Sequence, residues 1–254
     1  MSRISEMATS LHIAQRQQSP IAQFSTTETF NLNQAYEIQH QLIGKRVAEG
    51  EHHIGIKMGF TSEAKMAQMG VSEMIIGQLT DKMECINGGS IKRTDFIHPR
   101  VEPEIAFRLK KDITEPIAIG DVLNYVDGVS TALEVIDSRY ENFKFSLEDV
   151  IADNCSSAAF VLGNFHEPRQ VLTDLEMALL INGKPIETGN SNDILGNPWK
   201  SLVAASELSY KYNLPLKAGN IVLAGAATSA HFINVSDEIA ADVAELQSVF
   251  FRVV

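Results

Sequence analysis

Cysteine is scarce in this chain of 254 residues: there are two, Cys85 and Cys155, far apart and in no CxxC pair. Neither a disulfide framework nor a cysteine zinc site can be built from them, so both read as reduced thiols in a cytosol. Positive charge is short as well, with 21 Lys and Arg against 32 Asp and Glu and a formal net charge of −11. A broadly basic footprint for nucleic acid or anionic lipid is therefore missing, which turns expectation toward a small-molecule partner. No apolar run approaches the roughly 18 residues that a membrane helix needs. Residues 1–20 carry Glu6 early and lack a continuous apolar stretch, so no secretory leader is read there and the expected location is the cytoplasm. Also absent are the GxSxG nucleophile elbow, the Walker lysine loop, GxGxxG after a strand, and HExxH. Covalent serine hydrolysis and nucleotide chemistry lose ground accordingly. His52-His53 has no third ligand at metal spacing and reads as solvent exposed.

What is present suits a globular protein: 44% of residues are apolar, 21% are charged, and the mean hydropathy is near zero. Ile4, Met7, Ala8 and Leu11 recur at helical spacing in a helix that must stop before Pro20, and Ala35, Ile38 and Leu42 mark a second ending near Gly50. The period then changes, because Ile54, Ile56, Met58 and Phe60 alternate with Gly55, Lys57 and Gly59 as in a strand. A short helix is expected from about Ser62 to Met69, stopped by Gly70. Strand-like runs follow at 101–109, 131–137, 158–162, 177–181, 184–188, 220–225 and 246–254. One late helix is expected at 198–212, with Asn197 as its cap and Pro198 in its first position. The expected division is a helical region at 1–53 and a β-rich core at 54–254, together one structural unit.

Three glutamates carry the first chemical signal. Alternation in Val101-Glu102-Pro103-Glu104-Ile105 puts Glu102 and Glu104 on one face, about 7 Å apart at ~3.3 Å per residue. Taken alone, the pair also fits a half-exposed strand with its polar face in water, and Pro103 points to an edge or a bulge. Glu134, inside Thr131-Ala132-Leu133-Glu134-Val135-Ile136, would be costly to bury without a partner. All three could share one hard cation, Mg²⁺ or Mn²⁺; an internal salt bridge for Glu134 is the other reading. Lys57 has glycine two positions away on either side, at Gly55 and Gly59, which clears space for a close approach to its ammonium; the plainer reading is a surface lysine on an edge strand. Asp81 could be a proton-handling partner or simply a loop acid. Ser156 and Ser157 suit hydrogen bonds to a bound anion, or equally a helix cap or turn.

At Gly55-Ile56-Lys57-Met58-Gly59-Phe60-Thr61-Ser62, His98-Pro99-Arg100-Val101-Glu102-Pro103-Glu104, Leu133-Glu134-Val135-Ile136-Asp137-Ser138-Arg139 and Ala152-Asp153-Asn154-Cys155-Ser156-Ser157, the chain resembles a known family. It is similar to the 2-keto-4-pentenoate hydratase and 4-oxalocrotonate decarboxylase family, within the fumarylacetoacetate hydrolase superfamily, from about residue 30 onward. The stretches Lys57–Ser62 and Asp137–Phe145 look more like the decarboxylases than the hydratases. The resemblance implies an α+β fold, a fumarylacetoacetate hydrolase-like β-roll core with an N-terminal helical region. It further implies a divalent metal on Glu102, Glu104 and Glu134, Lys57 as principal catalytic lysine, and Asp81 with Ser156 or Ser157 in the pocket. Thr228 would help to hold the substrate carboxylate, although Ala224-Gly225-Ala226-Ala227-Thr228-Ser229 has fewer glycines than relatives carry there. Cys155 stands where a smaller residue is common, which narrows the neighbouring pocket. The implied activity is metal-dependent decarboxylation of 2-oxo-3-hexenedioate, with the related hydratase reaction as the alternative. A homo-oligomer, in association with a partner hydratase, is the implied assembly.

Overall fold

The computed structural model describes residues 2–62 and 73–254. Most of the helix expected at 62–69 falls outside that set. Two helices open the chain, α1 (Arg3–Gln17) and α2 (Leu32–Ala48). Ser2 caps α1 through its side chain, and Asn31 with Gln34 forms a reciprocal capping box on α2. Met7, Ala8 and Leu11 of the first and Ala35, Ile38 and Leu42 of the second enter one hydrophobic cluster with Ile56, Ile76 and Phe107.

Thirteen strands follow among the described residues: β1 (His53–Gly59), β2 (Ile75–Thr80), β3 (Glu84–Cys85), β4 (Ser90–Ile91), β5 (Arg100–Leu109), β6 (Val126–Ile136), β7 (Ser157–Leu162), β8 (Glu176–Ile181), β9 (Lys184–Asn190), β10 (Ile221–Ala226), β11 (His231–Phe232), β12 (Glu238–Val243) and β13 (Leu246–Val253). The larger sheet runs β2-β1-β10-β5-β6-β7-β3, with β11 on β5; the smaller runs β4-β13-β12-β8-β9. Val101, Leu133, Val135 and Val161 of the larger sheet pack against Leu179, Ile239, Val249 and Phe251 of the smaller one. The helix Pro198–Lys211 starts as expected, with Asn197 Oδ1 accepting the Trp199 N–H. Helices, a mixed curled sheet and a second sheet make the α+β architecture that the resemblance implies.

Two expectations about strand position change. β5 is an interior strand between β10 and β6, so Pro103 does not mark an edge. It sits beside a bulge: Ala106 faces Leu223 and Glu104 faces Ala226, so β10 spends one more residue than β5 between the same two pairs. β1 is also interior, between β2 and β10, which removes the reading of Lys57 as a surface lysine. The close approach at Gly55 is made by the chain itself, since a Cβ there would lie 2.0 Å from the Ile221 carbonyl oxygen. β2 was not expected because all six of its residues are buried, leaving no alternation to read.

Candidate active site

The register of the larger sheet gathers the charged residues. Glu102 on β5 faces Glu134 on β6 directly, Glu104 lies two residues along the same strand, and Lys57 comes from β1 across the intervening β10. One oxygen from each of Glu102, Glu104 and Glu134 lies within 4.8 Å of the others. Lys57 Nζ stands 2.8 Å from Glu134 Oε2, and the Ser157 hydroxyl donates to Glu134 Oε1 at 2.9 Å. Glu104 Oε2 accepts the Gly225 N–H at 2.8 Å. That donor is free for a side chain because Gly225 occupies the bulge at φ 97°, a left-handed conformation that suits glycine.

Glu104 and Glu134 have essentially no solvent exposure, and burial pushes both carboxyl groups above their ordinary range. Repulsion from Glu134 adds to the effect on Glu104, whereas the Lys57 ammonium opposes it at Glu134. For Lys57, burial favours the neutral amine, but the carboxylates, led by Glu134, outweigh it and hold the ammonium above its ordinary value. Glu104 Oε1 is buried without a hydrogen-bond partner among the described residues. Glu104 and Glu134 repel each other where neither meets solvent, and Lys57 is held against Glu134. All-oxygen donors and an orphaned carboxylate oxygen fit a hard divalent cation.

Beside the cluster lies a cavity of about 400 Å³, with Lys57, Glu102 and Ser156 on its polar side and Phe60, Phe143 and Phe145 among its apolar walls. Ser156 reaches it from an unusual turn, for Asn154, Cys155 and Ser156 have φ of 50°, 53° and 57° in succession. Left-handed non-glycine residues each cost of order 1–3 kcal/mol unless their surroundings enforce them. Here the Asn154 side chain does so by pairing with both backbone groups of Gln78: Oδ1 accepts its N–H at 2.7 Å and Nδ2 donates to its carbonyl at 2.9 Å. The Ser156 hydroxyl is buried with no hydrogen-bond partner among the described residues, so it has a donor to offer inside the cavity. Cys155 narrows the same wall, and burial pushes its thiol up to about 12, out of reach of nucleophilic chemistry near neutral pH.

The Fumarylacetoacetate (FAA) hydrolase C-terminal family matches residues 58–254. The chain belongs to that family. A 4-oxalocrotonate decarboxylase from a Pseudomonas species is 42% identical over 98% of this chain and 97% of its own length. A 2-keto-4-pentenoate hydratase from Paraburkholderia xenovorans is 35% identical over 87% of the chain and 84% of its own length. Among solved structures, 4-oxalocrotonate decarboxylase from Pseudomonas putida G7, complexed with magnesium and adipate, superposes with a TM-score of 0.95 at 33% identity, covering 100% of this chain and 99% of that one.

In this fumarylacetoacetate hydrolase family member, Glu102, Glu104, Glu134, Lys57 and Ser156 come together, and the other sequence candidates divide. Ser157 turns from the cavity to hold Glu134. Asp81 is a correction. Lys57 pairs with Gly77 and His53 with Thr80, so antiparallel pairing carries Asp81 to the far end of β1 from Lys57. There it is partly exposed, accepts the His52 N–H and imidazole, and does not line the cavity. His52 is exposed as expected, but His53, at the start of β1, is half-buried. Thr228 is buried with its hydroxyl on the Ser229 carbonyl, and it is Ser229 and Ala230 that line the cavity. Arg100 went unnoticed as a cavity residue, although it lies on the same alternating face as Glu102 and Glu104. No helix among the described residues is long and apolar enough to cross a membrane.

Proposed function

We propose that the chain is a metal-dependent carboxy-lyase that converts 2-oxo-3-hexenedioate to 2-hydroxypenta-2,4-dienoate and CO₂, within the meta-cleavage route of aromatic catabolism. The observation that carries the reading is the convergence of three buried or half-buried carboxylates on a buried lysine beside a cavity, in a chain 42% identical to a decarboxylase of that name. The relative solved with magnesium holds adipate, a diacid with the substrate's carbon count. Glu102, Glu104 and Glu134 would hold Mg²⁺, or Mn²⁺ in its place, and the bound ion would supply a Lewis acid for the 2-oxo group and for charge developing on its oxygen.

The protein's own groups do the rest. Lys57, 2.8 Å from Glu134 and lining the cavity, is placed to donate a hydrogen bond to the enolate oxygen and to supply its proton. The C5–C6 bond breaks, its electron pair passes through the conjugated carbons to the ketone oxygen, and that oxygen takes up the proton. No nucleophile is required. The Ser156 hydroxyl offers a hydrogen bond to the substrate, and the phenylalanine walls limit the access of water to the dienolate. Asp81, at the other end of β1 from Lys57, takes no part in the proton transfer proposed here.

The test is an ultraviolet progress curve of Mg²⁺-supplied protein with 2-oxo-3-hexenedioate, with CO₂ measured in parallel and the run repeated with 2-hydroxypenta-2,4-dienoate. Release of CO₂ that a chelator abolishes supports the decarboxylase. Consumption of the dienoate alone would transfer the chain to the hydratases. We further infer a cytoplasmic homo-oligomer, in association with a partner hydratase.

A further inference from the structure

We propose that Arg100 recognises the distal carboxylate of the substrate and thereby selects dicarboxylic over monocarboxylic 2-oxo acids; the inference rests on the function proposed above. Arg100, Glu102 and Glu104 share one face of β5, and both Arg100 and Glu102 line the cavity. At ~3.3 Å per residue, Arg100 is displaced from Glu102 by roughly 7 Å along the strand, and from Glu104 by twice that. The strand position that bears Arg100 is therefore set off from those of Glu102 and Glu104 by distances comparable to an extended six-carbon chain, and the Arg100 charge still feels that of Glu102. Among the described residues lining the cavity, the cations are Lys57 and Arg100, and Lys57 is already engaged by Glu134 at 2.8 Å.

The guanidinium is fixed in place. Its central carbon lies 4.3 Å from the ring centroid of Phe143 and 4.4 Å from that of Phe232. Such contacts engage the face of the guanidinium and leave its N–H edge for a planar anion, which a carboxylate fits in bidentate fashion. The Arg100 Nε is buried and has no hydrogen-bond partner among the described residues, a donor that a bound carboxylate would satisfy.

The reaction removes the group that Arg100 holds. CO₂ leaves uncharged, so the contact is made to substrate and lost by product. An interaction weakened on the way to the transition state acts on KM more than on kcat, and it spares the product from tight retention.

The experiment measures Kd by calorimetry in Mg²⁺ for 2-oxoadipate and 2-oxohexanoate, saturated acids that differ in the distal carboxylate and have no conjugated path for decarboxylation. Wild type should bind the diacid about tenfold to hundredfold more tightly. Arg100→Gln should bind both acids with the affinity that wild type shows for the monoacid, and Arg100→Lys should keep part of the preference. An undiminished preference in Arg100→Gln, or an equal loss for both acids, overturns the assignment while leaving the proposed function standing. Wild-type protein that binds neither acid overturns the proposed function and this inference with it. Should Arg100→Gln unfold, Arg100→Lys carries the test: it must bind the diacid more weakly than wild type, with a reduced preference, at unchanged affinity for the monoacid.

Discussion

Replacing Glu104 by Gln should make the metal-free protein more stable and the metal-supplied protein less so. The ligand oxygens of the three glutamates lie within 4.8 Å of one another, and two unit charges at that separation repel by about 3 kcal/mol at an effective dielectric constant near 20. Proton uptake sets a ceiling of similar size. From an ordinary value of 4.5, holding Glu104 protonated at pH 7 costs about 3 kcal/mol, at ~1.4 kcal/mol per pH unit. A neutral amide escapes either cost but weakens the bond from the Gly225 N–H and forgoes attraction to Lys57. The balance is about 1–2 kcal/mol, which for a chain of this size raises the melting temperature by about 2–8 °C. The sign with pH follows from the raised folded-state value. The stabilising contribution of Glu104 is complete below the unfolded value of 4.5 and is lost as pH rises above it, so metal-free wild type weakens toward neutral pH relative to the variant. Magnesium should reverse the order, since a ligand at a hundred times its Kd stabilises by about 2.7 kcal/mol and the variant lacks one donor. Thermal melts of both proteins, with chelator and with Mg²⁺, test this. A metal-free variant that melts below metal-free wild type, or equal gains from Mg²⁺, would refute the reasoning.

Lys57→Met removes the ion-pair partner of a fully buried carboxylate, so the metal-free protein should lose about 3–5 kcal/mol in urea denaturation. Its CO₂ release at saturating Mg²⁺ should fall at least about 100-fold in the progress-curve assay. Asp81→Asn should leave kcat and KM within about twofold of wild type, because the group sits against His52 outside the cavity; a larger loss would return Asp81 to the mechanism. Asn154→Ala gives up two buried bonds to Gln78 and should cost about 2–4 kcal/mol in urea denaturation, with KM raised through the displaced Ser156.

The carboxylate site was legible where side chains alternate in a partly apolar strand: Glu102, Glu104 and Glu134 stand out because charge is expensive there. The same alternation includes Arg100, but an arginine at the start of a strand looks like a solvated end until Phe143 and Phe232 are seen against it. Between Ser156 and Ser157, neighbours on a chain, the choice depended on a turn of three left-handed residues that no pattern announces. Asp81 was misplaced because nearness in sequence to a catalytic strand says nothing of register, and an antiparallel neighbour carries its far end away from Lys57. The donor from Gly225 was out of reach altogether, since a main-chain amide freed by a bulge has no letter in the sequence.

The position of β10 governs when the site can exist during synthesis. It lies between β1 and β5, the strands that carry Lys57 and Glu104, yet it is made long after both, at Ile221–Ala226. A growing chain that has passed residue 200 already holds all three glutamates, but its larger sheet is still split along the line where β10 belongs. Until that strand emerges, β1 and β5 each present an unpaired inner edge, the kind of surface that recruits chaperones or other nascent chains. Chains stopped before residue 221 should therefore accumulate as aggregates rather than as slow enzymes, and cation affinity should arrive all at once with the final segment.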